Sequence, residues 1–323
     1  MALSPPGSRF PASLLHTAAT LYYLQDATQA EVAQRLGTSR ATVSRLLREA
    51  RARGIVRIEV VAPAEHDSSE LAERLCAQLG LEQVHVCADG PPGHVPDAVS
   101  PVLAAALAGV GLVRDDVLLV SSGRTVYEVA QRGLPTLPGV LVAPMVGGQD
   151  EPEAWYQTNE ITRQVAVGIG GVPRFLFAPA MPGRDLRTSL VSDPSIQRVF
   201  DLWSRARCAV MGVGAPPLLR ESIPGFVPTD EEPLRRAVGD VVSRFYDVDG
   251  VEVLYDGAQR LIATPLDTIR AIPTTIAVAY GAQKVPSIVA GARGGYFNHL
   301  VTDPSTAALL VAATAEAVPL EDA

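Results

Sequence analysis

The stretch TSRATVSRLLREARARG, residues 38–54, carries five arginines in a chain whose formal net charge is −8. On a helical wheel Val43, Leu46, Leu47 and Ala50 fall at i, i+3, i+4 and i+7 and form a buried stripe. Roughly opposite lie Ala41, Ser44, Arg45 and Arg48, with Arg40 and Thr42 flanking at the N-terminal end. Arginine grips guanine with two parallel hydrogen bonds, and serine or threonine suits phosphate oxygens. Such a face reads double-stranded DNA in the major groove, mainly through its N-terminal residues Arg40, Ala41, Ser44 and Arg45. Thr28 and Gln29, which open the preceding helix, and Ser39, at the head of this one, are counted with it as DNA contacts.

A second set of residues suits a small anion. LLVSSGRTVYEVA runs from a strand through Ser121, Ser122, Gly123, Arg124 and Thr125 into a helix. The glycine lets the backbone approach a ligand, while hydroxyls, free N–H groups and Arg124 welcome a phosphate. Gly147 and Gly148 in APMVGGQD make a second glycine turn, and Gly212 and Gly214 in VMGVG a third. Tight strand-to-helix turns need glycine whatever they bind, so each motif alone is weak. Lys284 is more informative: it is the only lysine, the other 26 basic residues being arginine. A compact ammonium fits a tight pocket where arginine's planar fork does not. Asp247 and Asp249 in SRFYDVDG suit either a turn or the hydroxyls of a sugar, and the second reading is preferred because an anionic ligand seldom needs two more carboxylates.

These residues need elements to hold them. LLHTAATLYYL, 14–24, repeats apolar positions at helical spacing through Leu14, Ala18, Leu21 and Leu24. Thr28 and Glu31 have the spacing of a capping box, Val32, Ala33 and Leu36 face a core, and Gly37 suits a helix stop. The next helix follows at once, which is the helix-turn-helix arrangement. Gly54 ends it, and IVRIEVV then alternates like the strand of a small wing. Residues 1–61 hold eight arginines against Asp26, Glu31, Glu49 and Glu59, a net +4, which leaves −12 on the remainder. A basic head on an acidic body implies that only the head meets a polyanion. The division expected is 1–61 for the DNA-binding domain and 62–323 for effector binding and oligomerisation.

The body alternates apolar strands (QVHVCAD, DVLLVSS, VLVAPMV, RFLFAPA, CAVMGVG, TTIAVAYG) with helices near 97–110, 125–132, 159–168, 194–206 and 304–317. DSSELAERLCAQLGL, 67–81, is read as the first helix of this domain. The fold class expected is therefore α/β: a Rossmann-like, mostly parallel sheet covered on both faces, behind an N-terminal helix-turn-helix of winged-helix type. Apolar runs such as VLLV are too short to span a bilayer, and MALSPPGSRFPA lacks the apolar core of an export signal. Cys76, Cys87 and Cys208 read as buried thiols of a reducing cytoplasm, with no metal and no cofactor implied.

Taken together, ATVSRLLREARARGIVRIEV, SSGRTVYEVA, VAPMVGG, NEITRQVA, AVGDVVSRFYDVDG, YGAQKVPSIVAGARGGYFNHLVTD and AALL resemble the SorC/DeoR-type sugar-binding transcriptional regulators over nearly the whole chain. The resemblance implies a C-terminal domain like sugar-phosphate isomerases and deaminases, and a phosphorylated sugar as effector. It also implies a homo-oligomer, dimer or tetramer, on operator DNA of a carbohydrate or nucleoside operon. By that likeness Gly123, Arg124 and Thr125 line the phosphate end with Gly147 and Gly148, and Asp247 and Lys284 sit over the sugar. One departure stands out: Ser122 replaces the tryptophan common before Gly-Arg-Thr, which takes away a ring for stacking. The competing hypothesis is an active sugar-phosphate isomerase or deaminase with a DNA-binding head. Enolisation needs a placed base, and the five histidines (16, 66, 85, 94, 299) are scattered, with only His299 near a candidate loop. Sensing is preferred.

Overall fold

The computed structural model describes residues 10–25, 27–56, 65–88, 94–220, 222–228 and 231–315. Cα proximity divides the chain into two units, Met1–Ala62 and Pro63–Ala323.

The first unit holds α1 (Ala12–Ala19), α2 (Gln29–Arg35) and α3 (Arg40–Ala52). α1 passes directly into a π-helical turn, Thr20–Leu24, closed by the Gln25 N–H on the Thr20 carbonyl at 3.2 Å. A π turn carries an extra residue, so the apolar stripe slips, and Leu24, expected on the core face, is 79% exposed. α2 opens with a complete capping box: the Thr28 hydroxyl accepts from the Glu31 N–H at 3.3 Å, and the Glu31 carboxylate accepts from the Thr28 N–H at 2.8 Å. Those hydrogen bonds from Thr28 hold the Glu31 carboxyl below its ordinary range. Ser39 caps α3 through the Thr42 N–H at 3.2 Å. Leu15, Ala18, Val32, Val43, Leu46, Leu47 and Ala50 make the core between the helices. The wing strand expected over 55–61 falls largely on 57–61, outside the described residues.

The second unit begins with α4 (Glu65–Leu79), β1 (Gln83–Val86), α5 (Val95–Gly109), β2 (Val117–Val120), α6 (Arg124–Ala130) and β3 (Leu141–Pro144). It continues through α7 (Thr158–Ile169), β4 (Val172–Pro173), α8 (Arg184–Ser192), α9 (Pro194–Ser204) and β5 (Ala206–Gly212). After α10 (Glu232–Arg235) come a hairpin, β6 (Gly239–Val241) and β7 (Arg244–Tyr246), and α11 (Leu266–Arg270). β8 (Thr274–Val278), α12 (Val285–Arg293), β9 (His299–Thr302) and α13 (Pro304–Ala315) follow. Seven strands form one sheet in the order β1-β9-β8-β5-β2-β3-β4, every pair parallel.

Both faces of the sheet are covered, and for that reason its strands read as unbroken apolar runs. Leu119, Ala143, Ala209, Met211, Ala277 and Leu300 pack to one side, while Leu118, Val120, Val142, Val210, Ile276 and Val301 pack to the other. α4 belongs to this core through Leu75, as its amphipathic pattern indicates. Two strand readings are corrected. RFLFAPA is not the fourth strand, which is the two-residue edge Val172–Pro173; beyond it the Arg174 N–H donates to the Val142 carbonyl at 2.7 Å and an isolated bridge joins Gly148 to Pro179. His299–Thr302 is a further strand, missed because a four-residue run looks the same in a loop or a sheet.

The strand order fixes where a ligand can enter. From β2 the chain moves to β3 on one side, and from β5 it moves to β8 on the other. β2 and β5 are neighbours, so their connections diverge and leave a crevice beyond their carboxyl ends.

Candidate functional site

A cavity of about 660 Å³ occupies that crevice. Residues 122–125 after β2 and Gly212–Ala215 at the end of β5 form its floor, and Tyr280, Gly281, Gln283 and Lys284 after β8 close one side. Gln149 after β3, with Trp155 and Tyr156, closes the other. Leu219, Arg220, Ser222 and Pro224 cover it, and Asp240, Val242 and Ser243 of the β6–β7 hairpin stand opposite.

Gly123 is the N-cap of α6 with φ +117°, a backbone region that L side chains rarely adopt. Its N–H donates to the Trp155 carbonyl at 2.8 Å. The N–H groups of Arg124, Thr125 and Val126 at the helix start have no acceptor within α6, as at any helix N-terminus, and this end carries partial positive charge. Thr125 is buried, and its hydroxyl accepts from the Lys284 ammonium at 3.4 Å. Burial pulls the Lys284 pKa down to about 8; Arg220 and Arg124 push the same way, while Asp240 and Glu128 oppose. The lysine Nζ also lies 5.8 Å from the Tyr280 ring centroid, and the Tyr280 hydroxyl donates to Glu128 at 3.2 Å.

Arg220 and Asp240 make a buried ion pair in the cavity wall. Arg220 Nε donates to the Ala215 carbonyl at 2.6 Å, and Asp240 Oδ2 accepts from the Ser243 N–H at 2.8 Å. A side chain on Gly214 would collide with both groups of the pair. Arg220 is therefore balanced by Asp240, whereas the Lys284 ammonium has no carboxylate within 4.0 Å among the described residues. The balance of the cavity favours an anion.

Of the residues expected here, Ser122, Gly123, Arg124, Thr125, Gly212, Gly214 and Lys284 line this one cavity. Arg124 stands exposed at the rim, its guanidinium 4.6 Å from the Trp155 ring centroid. Ser121 lies beneath: its hydroxyl accepts from the Gly212 N–H at 3.1 Å and donates to the Ser122 carbonyl at 2.8 Å, tying the ends of β2 and β5 together. Gly147 and Gly148 do not line the cavity and are engaged in packing and backbone hydrogen bonds instead. A Cβ on Gly147 would lie 2.7 Å from the Ala178 carbonyl, and the Gly148 N–H donates to that same carbonyl at 2.8 Å. Asp247 does not line the cavity either. It takes the alternative role of a turn, accepting from the N–H groups of Asp249 and Val251 at 3.1 and 3.0 Å, away from the cavity.

The carboxylate that does face the cavity is Asp240. Its signal was present in the sequence: a charged residue inside the apolar run VGDVV must find a partner if buried. Arg220, Gln149, Trp155 and Tyr280 carried no local signal. The aromatic surface that Ser122 gives up is supplied from elsewhere, by Trp155, Tyr156 and Tyr280. His299 sits instead on β9, its ring 5.9 Å from that of His85; burial lowers the pKa of both, and no histidine lines the cavity among the described residues. No group of three or more His, Cys, Asp or Glu side chains among the described residues could hold a metal ion.

On the first unit, Arg40, Ala41, Arg45 and Arg48 of α3 are exposed, Thr42 and Ser44 half-buried, and Val43, Leu46, Leu47 and Ala50 buried. The Ser39 and Thr42 hydroxyls share a hydrogen bond at 2.9 Å. The Thr28 hydroxyl is engaged inside its capping box, while Gln29 beside it is half-buried.

The Sugar-bind family model, a sugar-binding domain, matches residues 64–312, and that of sigma-70 region 4 matches residues 20–53. The deoxyribonucleoside regulator of Bacillus subtilis is 32% identical over 302 residues, covering 91% of this chain and 96% of the relative. The sorbitol operon regulator of Klebsiella pneumoniae is 29% identical over 306 residues, covering 91% and 96%. The crystal structure of full-length SorC from Klebsiella pneumoniae superposes with a TM-score of 0.72 at 27% identity, covering 94% of this chain and all of that one. No helix among the described residues is long and apolar enough to cross a membrane.

Proposed function

This chain belongs to the SorC/DeoR-type family of sugar-binding transcriptional regulators, and from that premise we propose that it holds operator DNA with α3 and changes its grip when a phosphorylated sugar fills the crevice between β2 and β5. The relatives are named as regulators rather than enzymes, and the crevice acts here as a sensor. In this reading the effector is the only small molecule needed, with no cofactor or metal.

One observation carries the choice of a phosphorylated ligand. Lys284 is drawn into the cavity, desolvated, set against Thr125 at the start of α6, and left without a carboxylate of its own. A phosphate there would pair with the ammonium and accept from the N–H groups of the first turn. Asp240 and the hydroxyls of the wall then face the sugar.

On the DNA side, the exposed arginines and Ser44 of α3 support major-groove docking, with base contacts from Arg40, Ala41, Ser44 and Arg45 and phosphate contacts from Ser39, Thr42, Arg48 and the start of α2 at Thr28 and Gln29. One such helix makes few contacts, so a homo-oligomer, dimer or tetramer, reading a near-palindromic operator belongs to the same proposal.

The test uses the full chain on a duplex selected from a random pool, titrated with sugar phosphates and followed by fluorescence anisotropy. At least one sugar phosphate should change DNA affinity. Lys284→Ala should keep DNA binding and lose that response, and Lys284→Arg should also lose it, because the guanidinium fork does not fit where the ammonium sits. A normal response in the arginine variant would move the phosphate away from Lys284.

A further inference from the structure

One polar group in the cavity is left unfinished. Gln149 is only 7% exposed, and its Nε2 donates to the Ser122 hydroxyl at 3.2 Å, yet its Oε1 is buried with no partner. A buried amide oxygen without a donor is costly, and such groups persist where something else completes them. Turning the amide by half a rotation only changes which end is left over. A hydroxyl, being both donor and acceptor, satisfies either.

The position of Gln149 is rigid. Gly147 donates to the Ile262 carbonyl at 2.9 Å, Gly148 donates to the Ala178 carbonyl at 2.8 Å, and the Ala180 N–H returns to the Gly148 carbonyl at 2.7 Å. The two glycines thus aim the next side chain instead of touching a ligand. Gln149 enters from the β3 side and Lys284 from the β8 side, three strand spacings apart along the sheet, or about 14 Å. A molecule whose anion meets Lys284 therefore turns its other end toward Ser122 and Gln149.

We propose that Ser122 and Gln149 form a hydroxyl-reading pair that decides which sugar phosphate the cavity accepts. One non-phosphorylated hydroxyl of the effector donates to the free amide oxygen of Gln149 and accepts from the Ser122 hydroxyl, whose own lone pair already takes the Gln149 N–H. The small Ser122 side chain makes room for that hydroxyl. This inference rests on the crevice being an effector site, and it adds the selectivity of that site.

The experiment is calorimetric titration of the full chain and its Gln149→Leu, Ser122→Ala and Lys284→Ala variants. The ligands are ribose 5-phosphate, glucose 6-phosphate, fructose 6-phosphate, their monodeoxy analogues, and the same sugars without phosphate. For the tightest parent compound, one monodeoxy analogue should bind the natural chain roughly 10- to 100-fold more weakly, the effect of one lost buried hydrogen bond. Gln149→Leu should bind parent and analogue alike, and the milder Ser122→Ala should shrink the ratio in the same direction. The proposal falls if Gln149→Leu keeps the natural ratio for every deoxy position, or weakens all ligands equally. Failure of the phosphate reading looks different: phosphorylated and free sugars bind equally and Lys284→Ala changes nothing, while the hydroxyl preference still depends on Gln149. If no sugar in the set binds the natural chain, both readings fall.

Discussion

The exposed face of α3 and the crevice at β2 and β5 are built in opposite ways. α3 draws its exposed residues from one short stretch of a single helix, Arg40–Arg48, with its charges in water. The crevice gathers its groups from Ser122 to Lys284, carried on loops after four different strands and on a hairpin, and its central cation is desolvated. Charges in water act additively and are screened by salt. Charges withdrawn from water interact strongly, and each depends on its neighbours. The DNA face should therefore degrade by degrees under substitution, and the crevice should respond to its protonation state and to single groups.

The hardest blow to this comparison is to the core beneath α3. Leu46 is fully buried among α1, α2 and α3, and Leu46→Ala should cost about 2–5 kcal/mol. Chemical denaturation should show the loss, and DNA binding should vanish while sugar-phosphate titrations of the same sample stay normal. Loss of both would mean that the two units do not act as separate modules.

Arg45→Ala sharpens the contrast on the surface. If Arg45 grips a guanine, binding to the selected duplex should weaken by about 1–3 kcal/mol with relaxed base preference at one position. Equal loss on random DNA, measured at two salt concentrations, would reassign Arg45 to the phosphate backbone.

The smallest effect is a pH dependence confined to the crevice. In the proposed reading a phosphate pairs with protonated Lys284, whose pKa burial pulls down to about 8. Above that value the amine has lost its proton and must regain it on binding, so affinity should fall toward tenfold per pH unit, about 1.4 kcal/mol. Below about pH 8 this dependence should flatten. DNA affinity through arginines should not change between pH 8 and 9, because arginine stays charged. Calorimetry at pH 7, 8 and 9 decides, and an affinity level through pH 9 would remove Lys284 from the anion.

The same contrast explains what the sequence disclosed. Everything about α3 is local: the Ser39 cap, the 43-46-47-50 stripe and the opposing arginines lie within twelve residues, so period alone places them. Leu24 failed locally as well, because a π turn leaves no mark in an apolar repeat. In the second unit the alternation of strands and helices gave the layers. The Ser-Ser-Gly-Arg-Thr turn and Lys284 stood out through composition. Arg220 and Gln149 did not, because their partners lie 20 and 27 residues away, and only the folded chain brings them together. Asp240 and Asp247 lie close together around one hairpin, and only the fold buries the first against the cavity and leaves the second to close a turn.

Lys284 also makes the protein its own reporter. It is the single lysine of the chain, and burial pulls its pKa down to about 8, so near that pH far more of it is uncharged and nucleophilic than of an ordinary lysine. A mild amine-selective reagent should therefore mark one side chain, at the cavity, with the chain's α-amino group as the only other amine target. The rate of that labelling, read by peptide mass spectrometry, would report how full the crevice is. No engineered tag or known operator would be required.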